Sequence, residues 1–483
     1  MAKNDLVVVL PGIMGSTLAK HGHMVWEPSA GAVLRAIATF GHSIKDLQLP
    51  DGIGDDRPGD KDPGGGVEPV ALMPDVHVLP GIWTPIKGYT ALLQWLNCLG
   101  FREGNPAGPP GNLLPVPYDW RLSNRYNGKR LAGILEPALE RWRAQGGPYE
   151  DAKICFVCHS MGGLVARWYI AHGGAEITRK LVTLGTPYRG AARAVDQLVR
   201  GIPQGLSQFA LDLTSLARSL PSAYQLLPSY ACIEQKNNTA LAPAKQTKLL
   251  RLDEVQSVPE LAGCRIRDAM RFYDELETVE NADRNIRAMR NPLTGTRQRT
   301  GTTLTISDTT VTLLDTYRGE DLGGDATVPA VSLPRGIPLD DPTIKHYADK
   351  HGNLQCNPAL LEEIDAAVSI GRVVARELPL PIVQVRVDVP ELILYGEDLP
   401  VVVDLDGASD PIQVTVTDEI GHVLDRQTPK PVDGTATAHF TDLPPGAHII
   451  DVTGTNPQWL VGPVSSVSLV WSDQELARHG LES

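Results

Sequence analysis

Serine, a carboxylate and histidine, in that chain order, are the residue types here that could do chemistry together, and the chemistry is acyl transfer. A serine hydroxyl is too weak an acid to attack an ester unaided. It needs a base within hydrogen-bond reach, and the base needs an acid to orient it and stabilise its charged form. The serine that stands out is Ser160, within Lys153-Ile-Cys-Phe-Val-Cys-His-Ser-Met-Gly-Gly-Leu-Val-Ala-Arg167. Three histidines follow it before residue 378: His172, His346 and His351. His172 ends the helix expected after Ser160 and points the wrong way. His351 is preferred over His346, because Gly352 and a closing helix after it suit a histidine on a tight loop. Asp308, Asp315, Glu320, Asp321 and Asp325 compete for the acid. Asp325 follows Gly323-Gly324, which allow a turn tight enough to aim a carboxylate at a histidine.

The elements around these residues must place them. Ile154 to Val157 is an apolar run of strand length, and Met161, Leu164, Val165 and Trp168 fall at helical spacing. Gly162 and Gly163 lie at the junction, so the stretch reads as a nucleophile elbow: strand, sharp turn, helix. Cys158 occupies the first glycine position of the G-x-S-x-G pattern and is small enough to fit. The helix start offers free N–H groups beside the hydroxyl, where negative charge would develop. The competing reading is an ordinary strand–turn–helix joint with a buried serine. Upstream, Leu6 to Leu10 reads as a strand buried in a parallel sheet, followed at once by Pro11-Gly-Ile-Met-Gly-Ser16. That loop lacks the lysine of a P-loop. It reads instead as an oxyanion loop, with the N–H of Ile13 facing the reacting carbonyl.

Strands and helices alternate through the first part of the chain, which predicts a parallel sheet covered on both faces. Glu27 to Pro80 and Pro187 to Thr300 interrupt the pattern and are expected to be a lid and a cap. Leu206, Phe209, Leu213, Leu216 and Leu220 form an apolar helical stripe in the cap, and Arg265 to Arg299 is expected on its solvent side. A short helix is expected over Ala32 to Phe40. Val311 to Leu314 reads as a late strand of the sheet, Lys345 to Leu354 as a loop, and Ala359 to about Arg376 as a closing helix. Past Leu378-Pro-Leu-Pro381 the apolar period changes to two, as in Val383, Val385, Val387 and Val389, with turn signals at Asp406-Gly407 and Asp433-Gly434. The expected domains are therefore 1–378, an α/β unit, and 381–472, an all-β sandwich of immunoglobulin size, with 473–483 as a tail.

At 483 residues the chain can hold two or three domains. A formal net charge of −13 argues against nucleic acid and against strong electrostatic docking on anionic membrane, while leaving room for transient apolar contact with a membrane surface. No apolar run is long enough to span a bilayer, and no signal peptide is read at the start. The six cysteines show no framework spacing; Cys155 and Cys158 form a C-x-x-C in a strand, the wrong place for a redox pair. A cytoplasmic location is expected. Asp55, Asp56, Asp60 and Asp62 lack the ligand order of an EF-hand, so no metal and no cofactor is expected.

Six patches together resemble the lecithin:cholesterol acyltransferase family, which includes lysosomal phospholipase A and phospholipid:diacylglycerol acyltransferases. They are Pro11-Gly-Ile-Met-Gly-Ser16, Pro117-Tyr-Asp-Trp-Arg121, His159-Ser-Met-Gly-Gly163, Gly185-Thr-Pro187, Gly324-Asp-Ala-Thr-Val328 and His351. The resemblance does not extend to the C-terminal β region. It implies an α/β-hydrolase fold with a helical cap, and a lipolytic esterase, phospholipase or O-acyltransferase acting on acyl esters of lipids. It implies Ser160 as nucleophile, Asp325 as orienting acid and His351 as base, with the N–H groups of Ile13 and Met161 as oxyanion hole. Asp119 and Arg121 would brace the sheet end near the site. Secreted relatives staple their lid with a disulfide; no cysteine precedes Cys98 here, so no stapled lid is expected. The alternative function is an inactive hydrolase fold that binds lipid or acts as a scaffold, with the sandwich as a contact surface for a protein partner.

Overall fold

A computed structural model describes residues 4–27, 46–50, 63–74, 77–79, 83–104, 109–201, 208–235, 248–307, 309–341, 344–369, 383–408, 411–455 and 461–472. Its centre is a six-stranded sheet made of β1 (Leu6–Leu10), β2 (Leu113–Pro115), β3 (Ile154–His159), β4 (Thr178–Leu184), β5 (Arg290–Gly295) and β6 (Lys345–Tyr347). The spatial order is β6-β5-β4-β3-β1-β2, and every pairing is parallel. Parallel strands need crossovers, and the crossovers put helices on both faces, which is why β1 and β3 are apolar at almost every position.

The two faces carry separate cores. Leu6, Val8 and Leu10 of β1 pack with Leu131, Leu135, Leu139 and Trp142 of a helix over Asn124–Arg143, and with the helix Gly162–Tyr169. Val7 and Val9, one residue out of phase, pack with Leu92 and Leu96 of Thr90–Cys98 and with Leu360 and Ile364 of Pro358–Val368. The alternation of one short strand thus feeds both layers. Ser123 caps the first of these helices by accepting from the N–H of Arg125 at 3.0 Å, and Asn357 caps the last through the N–H of Ala359 at 3.0 Å.

Three local expectations need correction. The interval 187–300 takes in β5, which pairs with β4 inside the central sheet, so the charged stretch to Arg299 is not uniformly a solvent face. Arg290-Asn-Pro-Leu-Thr-Gly295 hides its strand character, because it begins with Arg and Asn and holds a proline. Val311–Leu314 is not in the central sheet. It pairs antiparallel with Thr303–Ile306 in a separate four-stranded sheet. Lys345-His-Tyr347, read as loop, is the edge strand β6. The helix expected over Ala32 to Phe40, the acidic run Asp55 to Asp62, Asp308, Leu206 and the linker near Pro381 lie outside the described residues. Of the closing helix, Pro358–Val368 is described.

The C-terminal region holds two β-sheets that share one core. One has three strands (Arg386–Asp388, Leu399–Asp404, Thr435–Phe440). The other has five (Leu392–Leu394, Ile412–Thr417, Val423–Gln427, Gly446–Gly454, Val464–Trp471). Val401, Val403 and Phe440 of the first meet Val414, Ile450 and Val470 of the second. Val464–Trp471 is buried at all eight positions, whereas Thr435–Phe440 alternates exposed and buried. A strand buried on both faces has a second neighbour, and here that neighbour is the segment around Asp349.

Candidate active site

Ser160 sits where β3 ends and the helix Gly162–Tyr169 begins, with φ of +50°. A non-glycine residue in this region is strained, and the surrounding contacts hold it there. The N–H of Ser160 donates to Leu184 O at 2.9 Å, and its carbonyl accepts from Thr186 Oγ1 at 2.8 Å. The glycines after it are spatial requirements. A Cβ at Gly162 would lie 2.4 Å from Pro11 O, and one at Gly163 would lie 2.1 Å from Thr186 Oγ1. Cys158, by contrast, is a fully buried core residue, and burial pushes its thiol up. All six cysteines are free thiols.

The Ser160 hydroxyl lies 2.8 Å from His351 Nε2, and His351 Nδ1 lies 2.7 Å from Asp325 Oδ2. Serine, histidine and aspartate are 5%, 3% and 1% exposed, so water competes little for these bonds. The carboxylate can only accept, so Nδ1 carries the proton and Nε2 presents its lone pair to the serine. The other oxygen of Asp325 accepts the N–H groups of Thr327 at 3.0 Å and Val328 at 2.6 Å. The N–H of His351 donates to Asp325 O at 2.8 Å, tying the two loops together by their backbones as well. His346 is elsewhere. It lies on β6 with Nδ1 3.1 Å from Thr294 Oγ1 and Nε2 3.1 Å from Leu339 O. His172 stacks on Trp168 at 3.8 Å between ring centroids.

A narrow cleft of about 40 Å³ lies over Ser160 and His351. Ile13, Ile86, Pro187, Ala194, Leu226 and Val328 give it apolar walls, with Gln197 and Thr327 as polar points. Ile13 therefore lines the same cleft as Ser160, and Met161 precedes the helix beside it. The loop Pro11–Ser16 is held by the Tyr118–Arg121 patch. Tyr118 Oη donates to Pro11 O at 2.8 Å, and Trp120 Nε1 donates to Ser16 O at 3.1 Å. Asp119 and Arg121 form a buried pair, with Arg121 Nη2 2.7 Å from Asp119 Oδ2. Arg121 also donates to Gly64 O at 2.9 Å and Leu47 O at 3.2 Å. The pair thus clamps two segments of the 27–80 interval to the sheet end and does not reach Ser160.

Several residues around the site carry no motif of their own. Arg167, on the helix after Ser160, pairs with Glu280 at 2.7 Å on the helix Gly263–Ala282. Asp349 is buried; its carboxylate accepts from the side-chain amides of Asn353 (2.5 Å) and Asn357 (2.8 Å) and from the N–H groups of Lys350 (2.8 Å) and Ser465 (3.1 Å). Burial raises its carboxyl above the usual range. Lys350 Nζ reaches Ser466 Oγ at 3.2 Å. Arg193 donates to Ala326 O at 3.3 Å and pairs with Glu391. Gln298 donates to Val385 O at 3.0 Å and accepts from the N–H of Val387 at 3.0 Å. The loops bearing Asp325 and His351 are therefore both tied to the C-terminal sheets. Sequence signals for these ties are faint, because each partner lies tens of residues away.

Among the described residues, no helix is long and apolar enough to cross a membrane. No curated protein sequence matches the chain. Among solved structures, a chain of a Tle4–Tli4 complex aligns at 14% identity over 76% of this chain and 99% of its own, with a TM-score of 0.46. A CARDB domain from Pyrococcus furiosus aligns at 15% identity over 19% of this chain and 89% of its own, with a TM-score of 0.15. Residues 83–285 match the family model described as lecithin:cholesterol acyltransferase. That match supports acyl-ester hydrolysis or acyl transfer in general. This stretch, which holds the Tyr-Asp-Trp-Arg patch and the turn at Ser160, is similar to the lecithin:cholesterol acyltransferase family.

Proposed function

We propose that the chain is a serine lipolytic enzyme that cleaves an acyl ester of a lipid through an acyl-Ser160 intermediate. The observation that carries this reading is the buried row Ser160 Oγ, His351 Nε2, His351 Nδ1, Asp325 Oδ2, with bonds of 2.8 and 2.7 Å. In the first step Ser160 Oγ bonds to the acyl carbon while His351 Nε2 takes its proton. The carbonyl oxygen becomes an oxyanion facing the N–H groups of Ile13 and Met161. Collapse breaks the ester bond, and the imidazolium returns its proton to the leaving alcohol. In the second step His351 deprotonates water or a lipid alcohol, which takes the acyl group from Ser160 as the acyl–Oγ bond breaks and the imidazolium returns the proton to Oγ. Asp325 keeps the imidazole in the Nδ1–H tautomer and faces its positive charge throughout. The apolar cleft walls suit an acyl chain.

In this reading the catalytic unit spans 1–378, with the intervals 27–80 and 187–300 supplying lid and cap around β5. The region 381–472 is an immunoglobulin-like sandwich. The test is to incubate the purified protein and its Ser160→Ala variant with mixed phospholipids, neutral glycerides and a long-chain alcohol, and to analyse the lipids. The parent should release free acids or form new esters, the first marking a hydrolase and the second a transferase. The variant should lose kcat by on the order of 10⁶-fold. Equal turnover by both proteins on every cleaved ester would refute the reading. A parent that cleaves nothing and takes up no fluorophosphonate would mark an inactive lipid-binding fold instead.

A further inference from the structure

Behind the row lies a second hydrogen-bonded chain in which neither side chain touches the serine hydroxyl. Tyr89, just before the helix Thr90–Cys98, is fully buried, and its hydroxyl accepts the N–H of Gly12 at 2.7 Å. The same oxygen lies 2.9 Å from Nδ1 of His159, which is 1% exposed. His159 Nε2 lies 3.0 Å from the carbonyl oxygen of His351. The roles follow from chemistry. A carbonyl can only accept, so Nε2 of His159 carries hydrogen. In the neutral ring Nδ1 then keeps its lone pair, and the hydroxyl of Tyr89, whose oxygen accepts from Gly12, donates its hydrogen there. In that Nε2–H tautomer both nitrogens of His159 are engaged, and it is no rival base to His351. The chain runs Gly12 N–H to Tyr89 O–H to His159 to His351 C=O.

Its ends are what matter. Gly12 precedes Ile13 in the loop that borders the serine, and His351 is the residue bonded to Ser160. His159 is joined to Ser160 through the peptide bond. Three loops from distant parts of the chain thus meet at two side chains. The fit is close. A Cβ at Gly12 would lie 3.1 Å from His159 Nδ1 and 3.0 Å from Ser160 Cβ, and the rings of His159 and His351 are 5.1 Å apart between centroids. Apolar residues would fill this space without needing partners; a buried polar chain is stable only when every group is satisfied, and its bonds then hold one geometry.

We infer that Tyr89 and His159 are positioning residues that hold the Ile13 N–H and the His351 imidazole in register with the Ser160 hydroxyl, a role that rests on the acyl-serine reading above. Tyr89→Phe deletes one oxygen and keeps the ring. Steady-state hydrolysis of a p-nitrophenyl acyl ester, fluorophosphonate labelling rate and thermal midpoint would be measured on the full chain. Tyr89→Phe should lower kcat about 10- to 100-fold with KM within about twofold, and should slow labelling in parallel. His159→Leu should lose a similar amount. His159→Gln, which can donate and accept at nearly the same places, should recover most of that loss. The double variant Tyr89→Phe/His159→Leu should fall little below either single one, because each breaks the same chain. Unchanged kcat in Tyr89→Phe with a lowered midpoint, equal loss in His159→Gln and His159→Leu, or fully multiplicative losses would each overturn the inference. If Ser160→Ala is inactive while Tyr89→Phe matches the parent, the positioning role alone is wrong. Turnover that survives in Ser160→Ala sinks the acyl-serine reading and this one with it.

Discussion

At the scale of single residues, the site spends stability on placement. Ser160 is held at positive φ, and Lys350, the neighbour of His351, is pressed against the C-terminal sheets. Burial pushes the Lys350 ammonium down to about 8, against weaker opposing pulls from Glu391 and Asp388. The sign follows from linkage. Between pH 8 and the ordinary lysine range the folded chain binds fewer protons than the unfolded one, so this residue makes stability rise with pH through that window. Below pH 8 the folded state carries the full cost of the buried charge. Lys350 still borders a cleft open to solvent, so the cost is on the order of 1–2 kcal/mol. Lys350→Met should therefore stabilise the protein by about that much in urea unfolding at pH 7, and the gain should shrink toward zero near pH 10.5. A gain that grows with pH would contradict this account.

At the scale of elements, the sheet end is kept in shape by side chains outside the Ser160–His351–Asp325 row. Arg121 and Asp119 are both buried, and the guanidinium serves carbonyls of residues 47 and 64 as well as the carboxylate. Removing one partner leaves the other as an unpaired buried charge, which costs about 3–5 kcal/mol. Arg121→Met should lower unfolding stability by that order while the folded fraction keeps kcat within a few-fold, as read by fluorophosphonate titration of active sites. A loss of kcat per titrated site of a hundredfold or more would move this pair from bracing into the chemistry. The helix Gly263–Ala282 is anchored in the same manner through Glu280 to Arg167, on the helix behind Ser160. The helix Gly263–Ala282 and the turn at Ser160 are thus joined through an ion pair buried on both sides.

For the whole molecule, the C-terminal sheets bear on the loops of Asp325 and His351. Ser465 and Ser466 hold Asp349 and Lys350, Glu391 reaches Ala326 through Arg193, and the strand near Val387 is held by Gln298. A module that only recruited a partner would leave the residual chain competent. Deletion of residues 381–483 should instead cut kcat/KM at least tenfold and lower solubility, since Asp349 loses a donor and Val464–Trp471 no longer covers its neighbour. Full activity in a soluble truncated chain would return this region to a docking role.

The sequence by itself was enough for whatever depends on neighbours in the chain. The apolar runs Leu6–Leu10 and Ile154–Val157 and the helical spacing after Ser160 are local, so strand, turn and helix were legible, as was the switch to period two before Ile412–Thr417. Residue types and their order could nominate Ser160, Asp325 and His351, and a resemblance could name their family. Tertiary structure decided what depends on distance through space. Arg290–Gly295 is a central strand because β4 and β6 flank it, although its own residues are polar and include proline. His346 and His351 differ by five positions, and only the fold puts one on an edge strand and the other 2.8 Å from Ser160. No sequence pattern links Tyr89 to His159, which lie 70 residues apart; a hydrogen bond between them exists only once the sheet has closed, since the free energy of burying such polar groups is decided by partners that the linear order does not reveal.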